Sequence, residues 1–63
     1  MTVVILREGE YVDTFKDVNY IDKYDQCFGR AFTLWIGAYP DETEVTFRYD
    51  DGYDFIVDYK FKN

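Results

Sequence analysis

The sequence predicts an all-β protein: a small antiparallel sheet of five or six short strands, curled into a barrel. Three observations favour this class. Apolar and polar residues alternate through residues 44–59, as they do in half-buried strands. Residues 3–6 are continuously apolar, as expected for a strand covered on both faces. At 63 residues, the chain has the length of one small domain, residues 1–63.

The first two strands are predicted to form a hairpin. Glu8 and Gly9 separate the apolar run from a second run at residues 10–15. A turn of two residues is the shortest connection between antiparallel strands, and it fixes their register. The cross-strand pairs it predicts are Arg7 with Glu10 and Ile5 with Val12.

Residues 17–28 allow two interpretations. As a strand, Val18 and Tyr20 alternate with Asn19, and residues 25–30 become a loop. Its β-branched and aromatic residues favour this interpretation. As a helix, the segment would begin at Asp17 and end before a glycine, with its apolar residues near one face. The alternative fold class is therefore α+β, with one helix at about residues 17–28.

The next strand is predicted at residues 31–38, followed by a turn at residues 39–42 that contains Pro40. Strict alternation divides this strand between two faces. One face carries Phe32, Leu34 and Ile36, and the other carries Thr33 and Trp35.

Residues 44–59 are predicted to form a second hairpin around residues 50–52. A three-residue loop keeps the apolar residues of both runs on one face, whereas a two-residue turn would move half of them to the other. Gly52 suits the left-handed position that ends such a loop. The apolar pairs are Tyr49 with Tyr53, Phe47 with Phe55 and Val45 with Val57; the opposite face pairs Arg48 with Asp54 and Glu44 with Asp58.

Ile56 falls on that second, otherwise polar face of the hairpin. Two interpretations remain open for it. A single exposed hydrophobic residue is ordinary on a protein surface. Alternatively, a partner covers the face and supplies positive charge between Glu44 and Asp58, which would otherwise repel each other.

The small size of the chain and its lack of covalent cross-links indicate that self-association or a dense aromatic core stabilises the fold. Chains this short bury only about 60% of their unfolded surface. Cys27 is the single cysteine, which excludes an internal disulfide and fits a reducing cytoplasm. The chain has no histidine, which excludes zinc sites built from Cys and His.

Residues 3–6 are too short for a signal peptide or a membrane span.

The net charge of −6 is concentrated in residues 41–58, where seven acidic residues accompany a single basic one, Arg48. The charges of the remaining residues cancel. Such a local negative field repels nucleic acid and anionic membranes, and it attracts basic protein surfaces. The candidate partner-binding residues are Asp41, Glu42, Glu44, Asp50, Asp51, Asp54 and Asp58.

Several kinds of chemistry are excluded or disfavoured. The chain has neither Ser nor His, so hydrolytic triads cannot be built and no catalytic residues are expected. Asp50, Asp51 and Asp54 could offer oxygens to calcium, but their spacing differs from an EF-hand loop, and no metal or cofactor is expected. The aromatic strands lack the basic groove of a single-strand nucleic-acid platform.

Two functional hypotheses follow. The first is a protein-binding module, or an inhibitor that docks on the basic surface of a nucleic-acid-binding protein and thus mimics DNA. The second is a structural or assembly protein that acts as a homodimer or a larger homo-oligomer. The short-strand pattern looks like that of many small proteins of phages and mobile elements, and it contains no motif that specifies a family.

Overall fold

The computed structural model describes residues 1–26, 29–38 and 40–57, and these residues form six strands. A single turn of 3-10 helix precedes the last strand. The strands are β1 (Val3–Arg7), β2 (Glu10–Phe15), β3 (Val18–Gln26), β4 (Gly29–Ile36), β5 (Thr43–Arg48) and β6 (Tyr53–Val57), and the 3-10 turn is Tyr49–Asp51.

The strands form two antiparallel three-stranded sheets. The first sheet has the order β2-β1-β6 and the second has the order β3-β4-β5. The prediction of an all-β fold is therefore confirmed, but the prediction of a closed barrel is wrong for the described residues, where no ladder joins the two sheets. The chain instead crosses from one sheet to the other after β2 and again after β5, so the sheets pack against each other across the core.

The first hairpin has the predicted turn with one shift in register. Glu8 and Gly9 both have positive φ, at 54° and 84°, as a two-residue hairpin turn of the primed type requires. Arg7 lies opposite Glu10, as predicted. Ile5, however, lies opposite Asp13, because a bulge in β2 adds one residue to that strand between the partners of Ile5 and Leu6.

The ambiguous segment is a strand from Val18 to Gln26, and Asp17 lies in the bend before it. β3 pairs with β4 from Val18 to Gln26, which confirms the strand and makes the helical alternative wrong there. The loop predicted at residues 25–30 is shorter than expected, since β4 already begins at Gly29. Positions 27 and 28 of the predicted helix lie outside the described residues.

The predicted second hairpin does not exist as a hairpin. β5 pairs with β4, so that Val45 lies opposite Leu34, and β6 pairs with β1, so that Phe55 lies opposite Ile5. Each strand thereby gains an apolar central strand as its neighbour. The other predicted pairs are replaced: Arg48 lies opposite Ala31, Asp54 opposite Leu6, Glu44 opposite Trp35 and Val57 opposite Val3.

The turn between β5 and β6 has the predicted local geometry despite this change of sheet. Gly52 adopts the left-handed conformation, with φ 92° and ψ 4°. Its amide donates a hydrogen bond to the carbonyl of Tyr49 at 2.9 Å. The turn thus directs the chain into the other sheet instead of returning it alongside β5.

The core lies between the sheets and is centred on Phe32. Val3 and Ile5 of β1 and Phe32 and Leu34 of β4 are fully buried, and Val18 is nearly so. The predicted inward face of β4 is confirmed, because Ile36 packs against the same cluster. The rings around Phe32 have centroid distances of 4.7 Å for Phe55, 5.1 Å for Tyr49 and 5.5 Å for Phe47.

Candidate functional site

The fold divides the predicted acidic residues among separate places. The division follows directly from the placement of β5 and β6 in different sheets. Asp41 and Glu42 lie just before β5, Glu44 lies at its start, Asp50 and Asp51 lie in the 3-10 turn, Asp54 lies in β6, and Asp58 lies outside the described residues.

The acidic residues of the 3-10 turn are surrounded by basic groups. The guanidinium of Arg48 lies 3.5 Å from the carboxylate of Asp50 and 4.0 Å from that of Asp51. Arg7 donates a hydrogen bond from Nε to the Asp51 carbonyl at 3.0 Å. The backbone amide of Arg30 donates to Asp50 Oδ2 at 3.3 Å. The negative field of this turn is therefore partly neutralised within the chain.

Asp54 stands on the outer face of the first sheet. It lies opposite Leu6, and its Oδ1 accepts a hydrogen bond from the amide of Phe55 at 2.8 Å. The described residues contain no group of three or more Asp, Glu, Cys or His side chains placed to hold an ion.

Two aromatic residues that the sequence argument did not select mark the most distinctive surface. Tyr20 of β3 and Trp35 of β4 are cross-strand partners on the outer face of the second sheet. Their rings stack with centroids 5.8 Å apart and an interplanar angle of 15°. Tyr20 remains 47% exposed, so the edge of the stack is open to solvent.

Three carboxylates flank this stack. Glu44 lies opposite Trp35 on β5, on the side of Trp35 away from Tyr20. Asp22 accepts a hydrogen bond from the indole nitrogen of Trp35 at 3.0 Å. Glu42 accepts a hydrogen bond from the Asn19 side chain at 2.7 Å. We call this surface the acidic aromatic face, and it consists of Tyr20, Asp22, Trp35, Glu42 and Glu44.

The hydrogen bonds hold the face in a defined arrangement. Asn19 also donates to the Gly37 carbonyl, so it links Glu42 to the end of β4. Two residues along β4 from Trp35, the hydroxyls of Thr33 and Thr46 bond to each other at 2.7 Å across β4 and β5. Fixed side chains lose less conformational entropy when a partner binds.

The pKa of Tyr20 is raised above its ordinary value of 10.0. Partial desolvation of the phenol is the largest cause, followed by the negative charges of Asp22 and Glu42, with smaller effects from Tyr24 and Glu44. Tyr20 is therefore a neutral phenol at physiological pH, within a locally negative field. Such a field favours a cation placed beside the ring.

The first sheet carries a contrasting outer surface. Val4 lies opposite Ile56, and Leu6 lies opposite Tyr11, on the side of the sheet that faces away from the core. Ile56 is 52% exposed and Tyr11 is 65% exposed. Ile56 is thus one member of a cluster, which we call the apolar face and which consists of Val4, Leu6, Tyr11 and Ile56.

Both faces are open surfaces. The described residues enclose no pocket. No helix in the described part of the chain combines the length and the apolar character needed to cross a membrane. An open surface of this kind can bind another macromolecule through area, charge and aromatic contact.

The sequence contained a signal for the acidic aromatic face that the charge count did not reveal. Tyr20, Asp22 and Tyr24 alternate along β3, and this alternation places them on one face once the segment is known to be a strand. The face draws on β3 and β4 as well as on the acidic segment. A count of charges along the chain cannot group residues from three strands.

Comparison with known proteins gives no match: no protein-family model, no curated protein and no solved structure is similar enough to this chain to be aligned with it.

Proposed function

We propose that this protein is a small acidic binding module that docks on a basic surface of another protein through its acidic aromatic face. The observation that carries the proposal is the exposed Tyr20–Trp35 stack among the carboxylates of Asp22, Glu42 and Glu44. Tyrosine and tryptophan are enriched among the residues that dominate binding energy in interfaces. Carboxylates around them would guide a basic partner and select against acidic ones.

A nucleic-acid-binding protein of the cytoplasm is the partner class that we propose. Such proteins present basic surfaces to phosphates, and a group of carboxylates can compete for them. Glu42 and Glu44 are two residues apart, which corresponds to about 6.6–6.8 Å in an extended chain. Because duplex DNA carries about one charge per 1.7 Å of its axis, the mimicry would cover only a few phosphates.

A matched pair of double variants tests which acidic residues form the interface. Glu42→Gln with Glu44→Gln removes two charges from the acidic aromatic face, and Asp51→Asn with Asp54→Asn removes two charges elsewhere. We expect the first variant to bind a basic DNA-binding protein several-fold more weakly, because each lost carboxylate weakens the local attraction. The second variant should bind nearly as well as the unmodified protein.

Titration at increasing salt concentration provides the measurement. Affinity should fall steadily with salt, because the attraction between exposed charges is screened. Duplex DNA should compete with this protein for the same basic partner. Equal weakening in both double variants, or affinity that does not depend on salt, would contradict the proposal.

A second candidate function is a homodimer formed through the apolar face. The observation that favours it is the cluster of Val4, Leu6, Tyr11 and Ile56, whose partly exposed side chains adjoin one another on one side of the first sheet. Asp54 is the acidic neighbour of this cluster. Because the chain carries a net charge of −6, a second copy would approach most favourably where charge is lowest.

Sedimentation measures this second candidate directly. The unmodified protein should sediment as a dimer at high micromolar concentration, and Ile56→Thr should shift it towards the monomer because it removes apolar contact area. A monomer at that concentration without any substitution rules out the homodimer.

A further inference from the structure

We propose that the acidic aromatic face holds one arginine side chain of its partner, with the guanidinium group against the exposed Tyr20–Trp35 stack. This inference rests on the proposed function, and it specifies the chemical group that the face recognises. The supporting observations are the distribution of cations over aromatic rings, the placement of the carboxylates and the open surface of the stack.

Three of the described basic residues lie over other aromatic rings. These three cations lie at distances typical of cation–π contacts. Among the described residues, none lies over Tyr20 or Trp35, although this pair has three carboxylates beside it. The occupied pairs are Arg7 with Tyr53 at 5.3 Å, Lys23 with Phe55 at 5.7 Å and Arg30 with Tyr49 at 5.2 Å.

The carboxylates stand where a bound guanidinium needs acceptors. Glu44 is exposed and lies opposite Trp35, and Asp22 is fixed at the indole nitrogen. A cation beside the stack would therefore contact an aromatic ring and at least one carboxylate together. It would also lie in the negative field of Asp22, Glu42 and Glu44, whose charges all raise the pKa of Tyr20.

The geometry favours arginine over lysine. A guanidinium is planar, so it can stack on an aromatic ring while its edge donates two parallel hydrogen bonds to a carboxylate. It is also more weakly hydrated than an ammonium, so its transfer onto a half-exposed surface costs less. Lysine would contribute its charge, but not the stacking or the paired hydrogen bonds.

Two capped peptides of equal length and charge, oligoarginine and oligolysine, test the inference. Trp35 is the single tryptophan of the chain, so its fluorescence reports binding at the face itself. We expect oligoarginine to bind about two- to five-fold more tightly than oligolysine, the range of one exposed cation–π contact. Tyr20→Leu should reduce this preference, because it removes one of the two stacked rings, while retaining salt-dependent binding of both peptides.

Tyr11→Leu is the matched control, because it removes an exposed tyrosine from the apolar face and should leave the preference intact. Equal affinity for the two peptides in the unmodified protein would overturn the inference and leave the proposed function standing. A preference of unchanged size in Tyr20→Leu would also overturn the inference and leave the proposed function standing. Failure of the unmodified protein to bind either peptide would overturn both proposals.

Discussion

Tyr49 connects the core of the molecule to its charged turn. The residue is half-buried, and its ring lies 5.1 Å from that of Phe32. Its pKa is raised above the ordinary 10.0, chiefly by desolvation and further by the charge of Asp54, while Arg30 opposes the shift. Folding therefore favours the neutral phenol.

Alkaline conditions should consequently destabilise the protein through Tyr49. Its contribution to stability is complete below pH 10.0, the ordinary pKa, and is lost as pH rises through the higher pKa of the folded state. We expect the free energy of unfolding to fall less above pH 10.0 in Tyr49→Phe than in the unmodified protein. Urea unfolding at neutral and alkaline pH measures the difference.

Tyr11→Phe is the control for this experiment, because it removes a hydroxyl from an exposed position of the first sheet. At alkaline pH, its free energy of unfolding should fall by as much as that of the unmodified protein. If the free energy of unfolding of Tyr49→Phe fell by that same amount, the assigned role of Tyr49 would be wrong.

Among the elements, the 3-10 turn carries the chain from the second sheet into the first. Gly52 ends the turn at φ 92°, and a side chain at this position would also meet the carboxylate of Glu8. The amide of Glu8 in turn donates to the Gly52 carbonyl at 2.9 Å. The turns after β1 and β5 are therefore joined to each other.

Replacement of Gly52 should destabilise the fold. We expect Gly52→Ala to lower the free energy of unfolding by about 1–2 kcal/mol, the cost of the left-handed conformation for a residue with a Cβ. Gly9→Ala is a useful comparison, since its φ is also positive but open space surrounds the added Cβ. An unchanged unfolding free energy for Gly52→Ala, measured with urea, would refute this account of the turn.

The same elements show what the sequence could and could not predict. Alternation correctly placed Phe32 and Leu34 on one face of β4, and it identified the left-handed position of Gly52, because both depend on local geometry. Pairing of Val45 with Val57 was wrong, because β6 pairs with β1, which is distant from it in sequence, and β5 pairs with β4. Tyr20 and Trp35 were missed because they meet only if the ambiguous segment is a strand that pairs with β4.

For the whole molecule, the two-sheet arrangement decides where charge can act. A hairpin at residues 44–59 would have gathered the acidic residues on a single surface. The observed fold leaves Glu42 and Glu44 beside Tyr20 and Trp35, and it places Asp50 and Asp51 near Arg7 and Arg48. The acidic aromatic face, and the functions proposed for it, depend on this separation.

Backbone proton contacts measured by NMR test the separation most directly. The two-sheet fold predicts contacts of β5 with β4, such as Val45 with Leu34, and of β6 with β1, such as Phe55 with Ile5. Backbone contacts between Val45 and Val57 should be absent. A continuous ladder between β5 and β6 would contradict the two-sheet fold, and it would return Glu44 to the surface that carries Asp54.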